Sequence, residues 1–273
     1  MAKRGKRPES QGNRDYHDRV AGKYDQIYDS TYWRFYRDLS WRHLLSFLPS
    51  KRPVRAADLG CGTGWFGVRL LKAGCHVVFL DPSQGMLEQS RAAADAEAHR
   101  GFESSFVLAG LEDMSAIPDG TIDFATAQGD PLSFCADPKR AIAELHRVLA
   151  KGAHVVLSVD HRIAGVRSLL GGSDPEAALE LLRTGRTEWR SRKEQENFGM
   201  KMFLRDELDE LLTKGGFEPR SWIGKTCLVQ RANEAWLEDR EQRLRLIEAE
   251  ERVHAIPEWI GIASHLQVAA RRL

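Results

Sequence analysis

The chain has 273 residues, 42% of them hydrophobic and 29% charged, with Lys and Arg almost balancing Asp and Glu at a net charge of +1. That length supports one large domain carrying sizeable insertions, and that composition excludes a disordered polymer. So small a net charge supplies no global pull towards nucleic acid or an anionic membrane. The four cysteines, Cys61, Cys75, Cys135 and Cys227, form no CxxC pair, which argues against a zinc site or a disulfide framework and for a reducing, cytoplasmic setting. The basic amino terminus runs on into polar residues, and no stretch is apolar enough to span a bilayer, so neither secretion nor a membrane partner is expected.

Residues 1–15 are Lys, Arg, Gly, Pro, Ser and Gln with little to bury, the composition of a disordered basic tail. Over 16–50 apolar residues recur at helical spacing, at Tyr24, Ile27 and Tyr28, then Tyr32, Phe35, Tyr36 and Leu39, then Leu44, Phe47 and Leu48. This predicts an amino-terminal helical layer. From 51 to 273 short apolar runs alternate with amphipathic stretches, which predicts an α/β fold: a doubly wound, mostly parallel seven-stranded sheet with helices on both faces and two helical insertions. Strands are expected over 54–59, 76–80, 106–109, 122–127 and 153–159. Helices are expected over 65–72, 84–98 and 138–149, the last stopped at Lys151-Gly152.

Residues 162–199 break the alternation with Gly171-Gly172, an Asp174-Pro175 helix start and an apolar set at Ala178, Leu179 and Leu182, the pattern of an inserted lid. The wound pattern resumes with a helix over 205–214 and a strand over 217–223. A second insertion over 230–260 carries a charged helix near 234–251, before a last strand at 266–270. No internal repeat is present.

Between the first strand and helix of the wound region lies Asp58-Leu59-Gly60-Cys61-Gly62-Thr63-Gly64. A glycine-rich turn there lets backbone approach a nucleotide. The dinucleotide fingerprint GxGxxG would need a small residue where Trp65 stands; the spacing is GxGxG. Asp58 would repel a pyrophosphate and attract the ammonium of a methionine moiety. Asp81, about twenty residues past the first glycine, stands where an acid accepts hydrogen bonds from ribose hydroxyls.

At these residues the chain resembles the class I S-adenosylmethionine-dependent methyltransferases of small-molecule type, from about Tyr24 onward. Besides the loop, the resemblance is carried by Leu80-Asp81-Pro82-Ser83-Gln84-Gly85-Met86-Leu87, by Ile117-Pro118-Asp119-Gly120-Thr121-Ile122-Asp123 and by Glu144-Leu145-His146-Arg147-Val148-Leu149-Ala150-Lys151-Gly152. It implies that Asp58, Gly60, Gly62, Gly64 and Asp81 bind S-adenosylmethionine, against a tight turn flanked by solvated acids; that Met86 packs on adenine, against an ordinary helix core residue; and that Tyr24 and Tyr28 close the amino-terminal layer over it, against plain packing. Where many relatives carry an adenine-facing Asp this chain has Leu111, so adenine recognition is expected from the backbone near Leu111 and from Glu112.

After the fourth strand, Gln128-Gly129-Asp130-Pro131-Leu132-Ser133 is partly similar to the Asp-Pro-Pro-Tyr motif of amino methyltransferases but lacks its second proline and its aromatic. Gln128 is read as a cofactor contact and Asp130 as a catalytic residue, against a plain turn-forming Asp-Pro. Past the fifth strand Asp160, His161 and Arg162 leave the same edge of the sheet. His161 is a candidate general base, against an ordinary loop histidine. No histidine spacing suggests a metal, and none is expected.

The expected reaction is in-line methyl transfer from S-adenosylmethionine to a small molecule, because the insertions and amino-terminal helices would roof the strand ends into an enclosed pocket. Nucleic acid is not expected as a partner. The alternatives are an RNA or protein methyltransferase guided by Lys3 to Arg7, a non-catalytic S-adenosylmethionine-binding regulator, and a nicotinamide oxidoreductase, against which Asp58 and Trp65 count.

Overall fold

The structure is a computed structural model and describes residues 9–51, 53–190 and 197–273. In chain order, α1 (Glu9–Val20), α2 (Tyr24–Ile27) and α3 (Thr31–Leu45) form the amino-terminal layer. The wound region follows with β1 (Val54–Leu59), α4 (Trp65–Lys72), β2 (Cys75–Asp81), α5 (Gln84–Asp95), β3 (Ser104–Leu108), β4 (Ile122–Ala127), α6 (Pro138–Val148) and β5 (Leu149–Asp160). Then come α7 (Arg162–Gly171), α8 (Pro175–Thr184), β6 (Arg186–Arg190), β7 (Asn197–Lys201), α9 (Arg205–Lys214), β8 (Phe217–Lys225), α10 (Arg240–Val253), α11 (Pro257–Ile260) and β9 (His265–Arg272).

The expected seven-stranded sheet has the order β3-β2-β1-β4-β5-β9-β8. The first five strands pair in parallel, whereas β9 runs antiparallel between β5 and β8. Helices cover both faces, so β1 and β4 are buried along nearly their whole length, as sheets of this kind require. Burial of Leu59, Leu80, Phe124, Val155 and Leu157 contributes about 1.5–3 kcal/mol per side chain. Side-chain caps start the helices: Ser83 accepts from the Met86 amide, Asp137 from Lys139 and Arg140, Asp174 from Ala177, and Asp239 from Gln242. Among the described residues no helix is long and apolar enough to cross a membrane.

The structure departs from the sequence reading in four places. The disordered tail expected over 1–15 is helical from Glu9, because Tyr16 and Val20 bury against Met86 and Phe198; residues 1–8, with Lys3 to Arg7, lie outside the described residues. The helix expected to stop at Lys151-Gly152 ends at Val148, since Leu149 already pairs with Ile122 and begins β5. In α8 the buried pair is Ala178 and Leu181, while Leu179 and Leu182 face outward. Finally, the insertion expected to be helical over 162–199 ends in an antiparallel pair, β6 with β7; residues 191–196 lie outside the described residues.

Candidate active site

The carboxyl ends of β1, β2 and β4 open onto a cavity of ≈ 710 Å³, at the point where the strand order reverses and open α/β sheets hold ligands. The turn after β1 forms one end. Gly62 lies there at φ +53, with nothing within 4 Å of where a Cβ would stand, so it supplies left-handed backbone and leaves open space beside the turn. Asp81, at the end of β2, accepts the Gly62 amide on Oδ2 and the Ser83 amide on Oδ1, both at 2.9 Å. An ionised carboxylate offers about four acceptor sites, so two remain for a ligand. Burial pushes the Asp81 carboxyl up, while the Ser83 and Gly62 amides and His17 pull it back; the net direction is upward.

Leu111, 3% exposed, is an apolar wall of this end. Glu112 also lines the cavity, but its Oε1 accepts the Asp137 amide at 2.7 Å. Six carboxyl groups line the whole cavity (Asp25, Asp81, Glu112, Asp113, Asp130 and Asp160) against two arginines, Arg14 and Arg37. That lining suits a nucleoside carrying positive charge. It would repel a pyrophosphate.

A roof closes over this end. Trp189 of β6 stacks on Phe198 of β7 at 4.7 Å and 15°. Tyr16 of α1 lies 4.7 Å from Trp189, and Phe134 lies 5.7 Å from Phe198. Asp18 ties α1 to the start of α5 by accepting from Ser83 Oγ at 2.6 Å and the Gly85 amide at 3.0 Å, a position where a helix favours an anion. Tyr24 and Tyr28 line the cavity with their rings 4.6 Å apart.

At the other end stands Asp130, a non-glycine residue at φ +67, a conformation that costs roughly 1–3 kcal/mol and persists where the surroundings enforce it. Its amide donates to Ser158 Oγ at 3.3 Å. Its Oδ2 accepts the Tyr36 hydroxyl at 3.3 Å and lies 2.8 Å from His265 Nδ1. Asp160 Oδ1 is 3.7 Å from the same nitrogen. Behind them the wholly buried Lys225 sets its Nζ 3.8 Å from the centre of the Tyr36 ring and donates to Gln128 Oε1 at 3.5 Å.

The neighbours sort the protons. Burial favours a neutral Asp130, but His265 and Lys225 outweigh it and hold that carboxyl well below the usual range. Burial and the facing Asp130 push Asp160 up to about 7. Burial brings Lys225 down to about 8 against the pull of Asp130 and Asp160. For His265 burial works downward, yet Asp130 and Asp160 prevail and its pKa rises. The cluster balances charge with its own side chains.

Of the expected site residues, Tyr28, Gly60, Gly62, Asp81, Leu111, Glu112, Gln128 and Asp130 converge on this cavity, while four others sit elsewhere. Asp58, 2% exposed, accepts the Gly67 amide at 2.7 Å and holds α4 rather than facing a ligand. Gly64, at φ +87, is small because a Cβ would fall 2.9 Å from Ser90 Cβ between α4 and α5. Met86 packs under α1 against Tyr16, Val20 and Phe198. His161 is 2% exposed with Nδ1 2.9 Å from the Ala263 carbonyl, so it ties two loops together and is withdrawn from the cavity as a base.

Sequence reasoning missed His265, Lys225 and Tyr36 as site residues, and the roof pair Trp189 and Phe198. Asp160, His265 and Lys225 are lateral neighbours across β5, β9 and β8, and only the antiparallel placement of β9 brings its first residue to the carboxyl ends of the parallel strands. No local pattern carries that information.

Part of the sequence and the fold are shared with known proteins. Residues 56–152 match a family model described as a methyltransferase domain. The chain is 30% identical over 121 residues to a malonyl-acyl-carrier-protein O-methyltransferase of Erwinia billingiae, covering 44% of each chain. It is 35% identical over 143 residues to a demethylmenaquinone methyltransferase of Thermus thermophilus, covering 50% of this chain and 61% of the relative. The chain thus spans only 44% to 61% of the length of these two relatives. In fold it is similar to the Burkholderia thailandensis 1,6-didemethyltoxoflavin-N1-methyltransferase, with a TM-score of 0.60 at 17% identity, over 100% of this chain and 93% of the other.

Proposed function

We propose that this chain, whose residues 56–152 match the methyltransferase-domain family, is a class I methyltransferase that transfers a methyl group from S-adenosylmethionine to a small-molecule acceptor. The observation that carries the proposal is a single roofed cavity running from Gly62 and Asp81 to Asp130 and His265. Asp81 holds the ribose with its two remaining acceptor sites. Gly60 and Gly62 present backbone to the methionine part, Leu111 and Glu112 flank the adenine, and Tyr28 and Gln128 border the transfer centre.

The bound cosubstrate supplies a methyl group already activated by a cationic sulfur. What the chain adds is placement and enclosure. Acid-rich walls attract the cation, the roof of α1, β6 and β7 keeps water out, and the aromatic rings fix the acceptor's approach, which together lower the entropic part of the barrier. The volume lies inside the roughly 300–1,000 Å³ of small-ligand sites. A roofed, partly open pocket of this size favours a small acceptor over an RNA or protein surface. All four cysteines are buried and free, which supports a reducing cytoplasmic setting.

The test is turnover of methyl-labelled S-adenosylmethionine against a metabolite extract, comparing the wild type with Asp81→Ala. Label is expected in low-molecular-weight product, with at least about a tenfold loss in the variant, the scale of one hydrogen bond to a charged group. Label confined to RNA or protein would sink the small-molecule reading.

A further inference from the structure

The cluster at the acceptor end goes beyond methyl transfer as such, because it is more elaborate than an acceptor that arrives ionised would need. His265 lines the cavity at the start of β9. Its Nδ1 lies 2.8 Å from Asp130 Oδ2 as an ion-pair contact outside hydrogen-bond alignment, so Asp130 acts on it by charge, and Nε2 is the ring nitrogen left for a ligand. Asp130 is itself fixed from three sides, by the Tyr36 hydroxyl, by Ser158 and by a strained left-handed backbone. A carboxylate that orients one imidazole nitrogen and stabilises the imidazolium is the arrangement that makes histidine an effective proton acceptor. Flat rings lead away from His265 along the cavity wall, with Tyr36 5.0 Å from His265, Trp33 5.4 Å from Tyr36 and Tyr28 5.1 Å from Trp33.

We propose that His265, positioned by Asp130, is the general base of the reaction, and that the acceptor is a flat aromatic molecule bearing a weakly acidic hydroxyl or ring N–H. The inference rests on the methyltransferase reading above and names the substrate class for that same site. The acceptor heteroatom forms its bond to the methyl carbon while the methyl–sulfur bond breaks, with the electron pair remaining on sulfur as a neutral thioether. The acceptor's proton passes to His265 Nε2 and then to solvent when product leaves.

The charged and titratable groups facing His265 are Asp130 after β4, Asp160 at the end of β5, Lys225 at the end of β8 and Tyr36 on α3, with His161 beside it. Because Asp130 and Asp160 raise the His265 pKa from 6.5, and the base acts in its neutral form, the rate must rise with pH through a limb above that value. Removing the Asp130 charge moves the limb to lower pH. A purely structural role for Asp130 would leave the limb where it is.

The experiment follows methyl transfer from carbon-13-labelled S-adenosylmethionine to a panel of phenols and N–H heteroaromatics, with a thiol that is ionised at the assay pH as control. Wild type, His265→Gln and Asp130→Asn are compared from pH 6 to 9. S-adenosylhomocysteine binding, measured by calorimetry on each protein, reports folding and the cosubstrate site separately. His265→Gln is expected to lose about 100-fold or more of its turnover on protic acceptors, the usual scale of general-base catalysis, while binding S-adenosylhomocysteine within about twofold of the wild type. Asp130→Asn is expected to shift the acidic limb downward. Unchanged turnover in His265→Gln would overturn the proposal, as would methylation of the ionised thiol alone or a divalent-cation requirement revealed by EDTA. Binding of S-adenosylhomocysteine with no panel member methylated would overturn the acceptor class, whereas failure of the wild type to bind it would overturn the methyltransferase reading itself.

Discussion

Asp58 and Asp130 are both buried carboxyls at the ends of central strands, yet their partners send their protons in opposite directions. Asp130 faces His265 and Lys225 and stays ionised. Among the described residues Asp58 faces the Gly67 amide and, at a distance, Asp81, so burial pushes it up to about 7 from the ordinary carboxylate value of 3.8. The sign follows directly. As pH rises from about 4 to about 7 the unfolded chain ionises this group while the folded protein keeps it neutral, so folding stability falls across that window and levels off above it, by at most about 4 kcal/mol at 1.36 kcal/mol per unit. Asp58→Asn keeps an acceptor for the Gly67 amide and removes the titration. Its melting temperature relative to wild type should therefore improve steadily from pH 4 to pH 8, and melting curves that stay parallel across that range would contradict the assignment. Residue type and spacing singled out Asp58 and Asp81 together; which of them faces a ligand depends on one hydrogen bond to α4 that spacing does not encode.

The elements most legible in the sequence are those whose pattern is complete within themselves. The expected β1, α4 and α9 have their observed bounds, because each carries its own apolar face and its own stop signal at a Gly or a strand end. The pair β6 and β7 was not legible, since two short strands that pair only with each other are fixed by Trp189 packing on Phe198 and on Tyr16 of a distant helix. The second insertion shows the same dependence. Glu250 on α10 is fully buried and accepts the backbone amides of Cys227, Leu228 and Val229 at 2.9, 2.8 and 3.0 Å, so one carboxylate anchors the insertion to the chain leaving β8. Glu250→Ala would leave three amides without that acceptor, at roughly 1–3 kcal/mol each where water cannot reach. A loss of at least about 3 kcal/mol in chemical denaturation is expected, and a loss below about 1 kcal/mol would show that the insertion is held by its apolar contacts instead.

At the scale of the whole molecule, a net charge of +1 conceals a cavity lined by six carboxyl groups and two arginines. Local sign, set by which strand ends meet, differs from what the global charge conveys. The Gly62 end of the cavity was largely legible, because Gly60 and Gly62 follow β1 directly and Asp81 ends the adjacent β2, an order that the alternating pattern implies. The acceptor end was only half legible. Asp130 was visible in the chain, but its partner His265 stands 135 positions later in the numbering and reaches it only because β9 is antiparallel between β5 and β8. The central claim, that this cavity holds S-adenosylmethionine through Asp81, is tested most directly by calorimetric titration of the wild type and of Asp81→Asn with S-adenosylhomocysteine, with NAD as control. Saturable S-adenosylhomocysteine binding, weakened roughly 10- to 100-fold in the variant by loss of hydrogen bonds to a charged acceptor, is the predicted result. Tight binding of NAD with none of S-adenosylhomocysteine would contradict the account.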